Sequence, residues 1–133
     1  MTRIIVAYLA AAVAMAVLDI AWLTTVMRGL FEGAVGEMLA PRANLAPAVL
    51  FYVLYVAGIV FFAVSPALRA GSWTMALGLG LALGLVCYMT YDLTNLATLK
   101  AWPARIAALD IAWGMLLTAV SSGAGYFAAS RIA

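Results

Sequence analysis

Four apolar runs, at about 4–27, 46–65, 73–98 and 104–128, occupy most of this 133-residue chain. A hydrocarbon core about 30 Å thick takes roughly 20 helical residues to cross, so each run is long enough for one passage. Only 9% of the residues are charged and 68% are hydrophobic, with a mean hydropathy of +1.15. A soluble domain carries about 25% charged residues to cover its surface. This chain cannot build such a surface, so its outer face must be solvated by lipid. The predicted fold is all-α: one membrane domain over residues 1–133, an integral membrane four-helix antiparallel bundle.

Helix breakers mark the joints between the runs. Pro41 and Pro47 bracket the entry to the second span, Ser65-Pro66 should end it, and Pro103 suits the first turn of the fourth. The hydrophilic stretch 28–45, with Arg28, Glu32, Glu37 and Arg42, reads as a polar loop or a short interfacial helix. The opening MTRIIVAYLAAAVAMAV has the layout of a signal peptide, but its apolar run continues through Asp19 to Met27. That is longer than a signal core, so the segment reads as an uncleaved first span.

Several chemistries are excluded early. A net charge of +2 with scattered basic residues gives no footprint for nucleic acid. There is no histidine, and Cys87 is the single cysteine, so neither an internal disulfide nor a metal site is expected and no cofactor is called for. Cys87 itself reads as packing. Proton chemistry would fall to carboxylates and phenols.

The acids are therefore informative. Glu32 and Glu37 lie in the first loop, whereas Asp19, Asp92 and Asp110 all lie inside spans. Asp19 and Asp92 sit near the ends of spans one and three, and Asp110 near the start of span four, which runs the opposite way. All three should reach the same end of the bundle, about 9–12 Å below the interface at 1.5 Å per residue. An ionisable group at that depth costs about 2–3 kcal/mol and normally faces the bundle interior or a wet cavity. No lysine or arginine lies in a span interior, Arg105 standing at the very start of span four, so the three acids have no cation at their own depth.

Their neighbours share a pattern. The pentapeptide LDIAW occurs at 18–22 and again at 109–113, placing Trp22 and Trp113 three residues after Asp19 and Asp110 on the same helix face. In YMTYDLTNLAT, Tyr88, Asp92 and Asn95 fall at helical spacing with Tyr91 flanking them. The residues expected to bind a ligand are Asp19, Trp22, Tyr88, Tyr91, Asp92, Asn95, Asp110 and Trp113, in a pocket between spans one, three and four. Phe51, Tyr52 and Tyr55 of span two read as lipid-facing or core, and Trp73 and Trp102 as an aromatic belt at span ends. The bland alternative is that the aspartates clasp the helices through the nearby indoles and phenols. Ala76, Gly80 and Gly84 recur four apart in span three. Such a seam serves internal packing more often than a dimer interface.

The LDIAWL of span one, the YDLTNLATLK of span three followed by WP, and the DIAWG of span four resemble bacterial membrane proteins catalogued as domain of unknown function 2177. The likeness covers nearly the whole chain and implies a multi-pass protein of the bacterial inner membrane. It implies no activity. On the residues, the expected partners are the lipid bilayer and a small hydrophobic or cationic ligand, bound and transported with protons, in a homodimer where transport is involved. A lipid- or isoprenoid-modifying enzyme using an aspartate as general acid or base remains open, though binding is preferred to catalysis, and so does a non-catalytic subunit of a membrane complex.

Arg28, Arg42, Lys100 and Arg105 collect at the acidic end, against Arg3, Arg69 and Arg131 at the other. This slight bias puts the acidic end in the cytoplasm and both termini outside, with a dual-topology dimer nearly as compatible. An alkaline phosphatase fused after Ala133 should then be active and a GFP fusion dark. Equal signals from both fusions would establish dual topology.

Overall fold

The computed structural model describes residues 1–27, 29 and 44–132. The polar segment with Arg28, Glu32, Glu37, Pro41 and Arg42 lies outside them. Among the described residues every regular element is helical. Four rods are long and apolar enough to cross a membrane: Thr2–Val26, Leu45–Ala70, Trp73–Thr98 and Ala104–Ser130, spans one to four. Arg3 Nε donates to the carbonyl of Ala129 at 3.4 Å, which brings the two ends of the chain to the same end of the bundle.

Span two runs further than its sequence suggests. An α-helix over Leu45–Ile59 passes through a π-helical turn at Val60–Val64 into a last α segment, Ser65–Ala70. Proline breaks a helix interior because it has no N–H to give and its ring meets the carbonyl four residues earlier. Pro66 escapes this by sitting in the first turn of the segment that follows the π turn, where the missing donor costs little. The rod therefore ends at Gly71, whose φ of 64° is left-handed, and not at Ser65-Pro66. The Ser72 N–H reaches the Ala67 carbonyl at 3.1 Å and the Gly71 N–H reaches Leu68 at 3.3 Å, which is the bonding of a Schellman cap. Ser72 then caps span three by accepting the Met75 N–H at 3.1 Å. Two residues thus turn the chain into an antiparallel hairpin.

Span four is the central post. Half of its most apolar window is buried, against 17–33% for the other three spans. Span three lies on it through the small-residue seam, with Ala76, Gly80 and Gly84 all buried. A methyl group on Gly80 would stand 2.9 Å from Ala119 Cα and from the Thr118 carbonyl, and one on Gly84 would meet the backbone of Gly114 and Met115. The Ser122 hydroxyl crosses the seam to the Ala76 carbonyl at 2.8 Å. The seam is thus internal helix packing, the close backbone approach that small residues permit where lipid removes the hydrophobic drive to associate. Span one packs on span four further along, where Gly125 faces the Ala7 carbonyl.

The outer surface is apolar, with Val13, Leu54, Phe61 and Val86 all exposed. Threonines on it return their hydroxyls to their own helix: Thr90 to the Val86 carbonyl at 2.6 Å and Thr98 to Thr94 at 2.7 Å.

Two glycines of span three should separate packing from propensity. Gly84→Ala forces a methyl into backbone and should lower stability by about 1–3 kcal/mol. Gly78→Ala, where nothing lies within 4 Å, should be neutral or stabilising by up to about 1 kcal/mol. Thermal unfolding of both variants in detergent checks the contrast. Equal Tm values would overturn the internal seam.

Candidate functional site

The acidic end is built from two arrangements that share a depth and differ in how their carboxyls are satisfied. Asp19, on the inner face of span one, is buried and has both oxygens engaged. Tyr52 of span two donates its hydroxyl to Oδ2, and Trp113 of span four donates its indole N–H to Oδ1 at 3.1 Å. One turn beyond Asp19, Trp22 stacks on Trp113 with ring centroids 4.5 Å apart and planes 4° from parallel. The two LDIAW copies therefore meet indole to indole. Three spans are tied at one carboxylate, and Tyr8 adds a bond from span one to the Val53 carbonyl at 3.0 Å.

Asp92 and Asp110 form the second arrangement. Asp92 is wholly enclosed, and neither of its oxygens makes a well-directed hydrogen bond. Its carboxyl lies within interaction reach of the Asp110 carboxyl and of the Trp102 indole. Among the described residues no lysine or arginine forms an ion pair with either acid. Asp110 is half-buried. Tyr88 stands between the two arrangements, within electrostatic reach of Asp19, Tyr52, Tyr55 and Asp110. Its ring lies over Gly114, where even a methyl group would enter it.

Asp110 also opens onto a cleft of about 310 Å³, lined by Phe51, Tyr55, Cys87, Tyr88, Tyr91 and Asp110. Span two supplies one wall, span three the other, and span four the acid. Tyr55 lies deep, its hydroxyl 2.7 Å from that of Thr118, while Phe51 and Tyr91 stand half exposed at the rim. Phe51 stacks on Tyr55 at 5.2 Å and Tyr55 meets Tyr88 edge-on at 6.3 Å, so three rings turn a corner. Tyr91 is buttressed by Trp102, perpendicular at 5.7 Å.

The expected site residues thus divide three ways. Tyr88, Tyr91 and Asp110 line the cleft; Asp92 backs Asp110; Asn95 sits against Tyr91. Asp19, Trp22 and Trp113 form the clasp beside it, outside the lining. The wall expected from span one comes from span two. Trp102, expected in an aromatic belt, is buried against Tyr91. Phe51 and Tyr55, which read as lipid-facing or core, and Cys87, which reads as packing, line the cleft, and Tyr52 joins the clasp. The signal was present for the tyrosines: the depth count that aligns the aspartates also puts Tyr52 and Tyr55 near the same level from the Asn44 end of span two. Among the described residues no group of three acids or thiols could hold a metal ion.

A family model described as "Predicted membrane protein (DUF2177)" matches residues 4–127. No curated protein and no solved structure matches the chain.

The clasp has a measurable strength. A double-mutant cycle of Tyr52→Phe and Asp19→Asn, read by unfolding in mixed micelles, should give a coupling of about 1 kcal/mol. Zero coupling would mean that this bond holds nothing together.

Proposed function

The chain belongs to the family described as predicted membrane protein DUF2177, and from that premise we propose that it binds a small hydrophobic or cationic molecule in the cleft between spans two, three and four. The observation that carries this reading is the cleft itself: aromatic walls around a single carboxyl, on the lipid-facing side of a membrane bundle. Small-molecule sites are concave, mostly apolar and furnished with a few polar groups, with volumes from about 300 Å³ upward. A bilayer-dissolved molecule reaches such a site sideways, past Phe51 and Tyr91, without crossing water. The Asp92–Asp110 pair gives protons a place to exchange against the occupant. Movement across the membrane would then call on a second copy of the chain, because four spans leave little room for an enclosed path. In this reading the protein resides in the bacterial inner membrane.

Photolabelling tests the proposal. In nanodiscs, a neutral aromatic diazirine should label residues 51–55 and 87–91 well above other lipid-facing positions, and excess unlabelled compound should compete. Cys87→Phe, which fills the cleft, should reduce that labelling several-fold. Even labelling along the exposed faces, unchanged by Cys87→Phe, would remove the binding reading.

A further inference from the structure

We propose that the ligand of this cleft is a monovalent organic cation of the ammonium type, with Asp110 as its counter-charge and Asp92 as the neutral, proton-bearing partner of Asp110. This rests on the cleft being a binding site and adds the class of its occupant. Four of the six lining residues, Phe51, Tyr55, Tyr88 and Tyr91, present aromatic rings, and ring faces attract a desolvated cation. No lining residue is basic. The deepest hydroxyl, on Tyr55, is already engaged with Thr118. An anion would meet Asp110 with no positive group to offset it, and a purely apolar molecule would leave the carboxylate without a counter-charge.

The enclosed neighbour supplies the second argument. Two adjacent carboxyls in lipid, with no described lysine or arginine paired to either, cannot both carry charge, because each would meet a like charge in a medium that solvates neither. The pair therefore holds a proton and bears at most one negative charge. Asp92 has no exposed surface and Asp110 borders the cleft, so the charge belongs on Asp110, where an occupant can reach it. A bound monovalent cation then brings the site to neutrality, the cheapest state at this depth.

The test uses benzyltrimethylammonium and its uncharged carbon isostere, neopentylbenzene, as competitors of the diazirine label on the full chain in nanodiscs, compared at equal bilayer concentration. The ammonium compound should compete at about tenfold lower concentration, the scale that ring and carboxylate attraction together give. Asp110→Asn should reduce that preference to within about twofold, whereas Asp92→Asn, which imitates a protonated acid, should keep it. Phe51→Leu removes one ring from the half-exposed rim, and should lower the potency of the ammonium compound while leaving the isostere unchanged. Equal potency of the two compounds on the unaltered protein would overturn the cation, as would a preference that survives Asp110→Asn. Loss of preference in Asp92→Asn as complete as in Asp110→Asn would overturn the division of roles. Those failures leave the cleft labelled. If labelling itself fails to concentrate at the cleft, the binding reading falls and the cation falls with it.

Discussion

Where Gly84 lies on the backbone of Gly114, no side chain separates spans three and four, and the geometry of the acidic end follows from that contact. The spans are antiparallel. Moving eight residues on from Gly84 reaches Asp92, about 12 Å along, and moving four back from Gly114 reaches Asp110, about 6 Å along. Each side chain leans towards the N-terminus of its own helix, which in antiparallel spans carries the two carboxyls towards each other. A seam built from larger residues would push the helices apart by the width of those side chains. The carboxyls would then separate and Tyr88 would lose its seat over Gly114. In lipid this close approach has a second consequence: it lets two polar groups meet each other where neither can meet water.

The three aspartates, alike in depth, are unlike in circumstance. Asp19 is the clasp that the bland alternative foresees, with an indole on one oxygen and a phenol on the other. Such bonds in membranes are worth about 1 kcal/mol, enough to order three helices and no more. Asp92 and Asp110 do not fit that description, because one is enclosed with no directed bond and the other faces a cleft. A chain that needed only helix ties would satisfy both oxygens of each acid, as it does at Asp19. The clasp therefore describes Asp19, and the proposed site rests on the other two aspartates.

The fold was legible because hydropathy and length suffice to find helices that cross a bilayer, and because direction and depth follow from counting residues along them. The site was legible only as a level. Counting places Asp19, Asp92, Asp110, Tyr88 and Tyr91 at one end, but pairing depends on how each helix is rotated about its axis. In a soluble bundle an apolar stripe reveals that rotation. Here lipid and core are both apolar, and the segments of span two read oily all round, which left Tyr52 and Tyr55 indistinguishable from lipid-facing residues. Trp102 misled for a related reason: indoles at span ends are common at the interface, and nothing in the sequence distinguishes one that folds inward against Tyr91. The extension of span two past Pro66 was hidden because a π turn has no compositional mark.

The position of the cleft follows from what holds span two. Its lower part, around the π turn at Val60–Val64, is packed into the bundle with Val60, Ala63 and Val64 buried. Its upper half is tied by phenols: Tyr8 to the Val53 carbonyl, Tyr52 to Asp19 and Tyr55 to Thr118. Helices joined by glycine approach until backbones touch, whereas helices joined through tyrosine are held off by the length of a ring. A gap must therefore open between the upper half of span two and the tightly sealed pair of spans three and four. It opens beside Asp110, and Tyr55, one of the residues that hold span two in place, also walls the space beside that carboxyl.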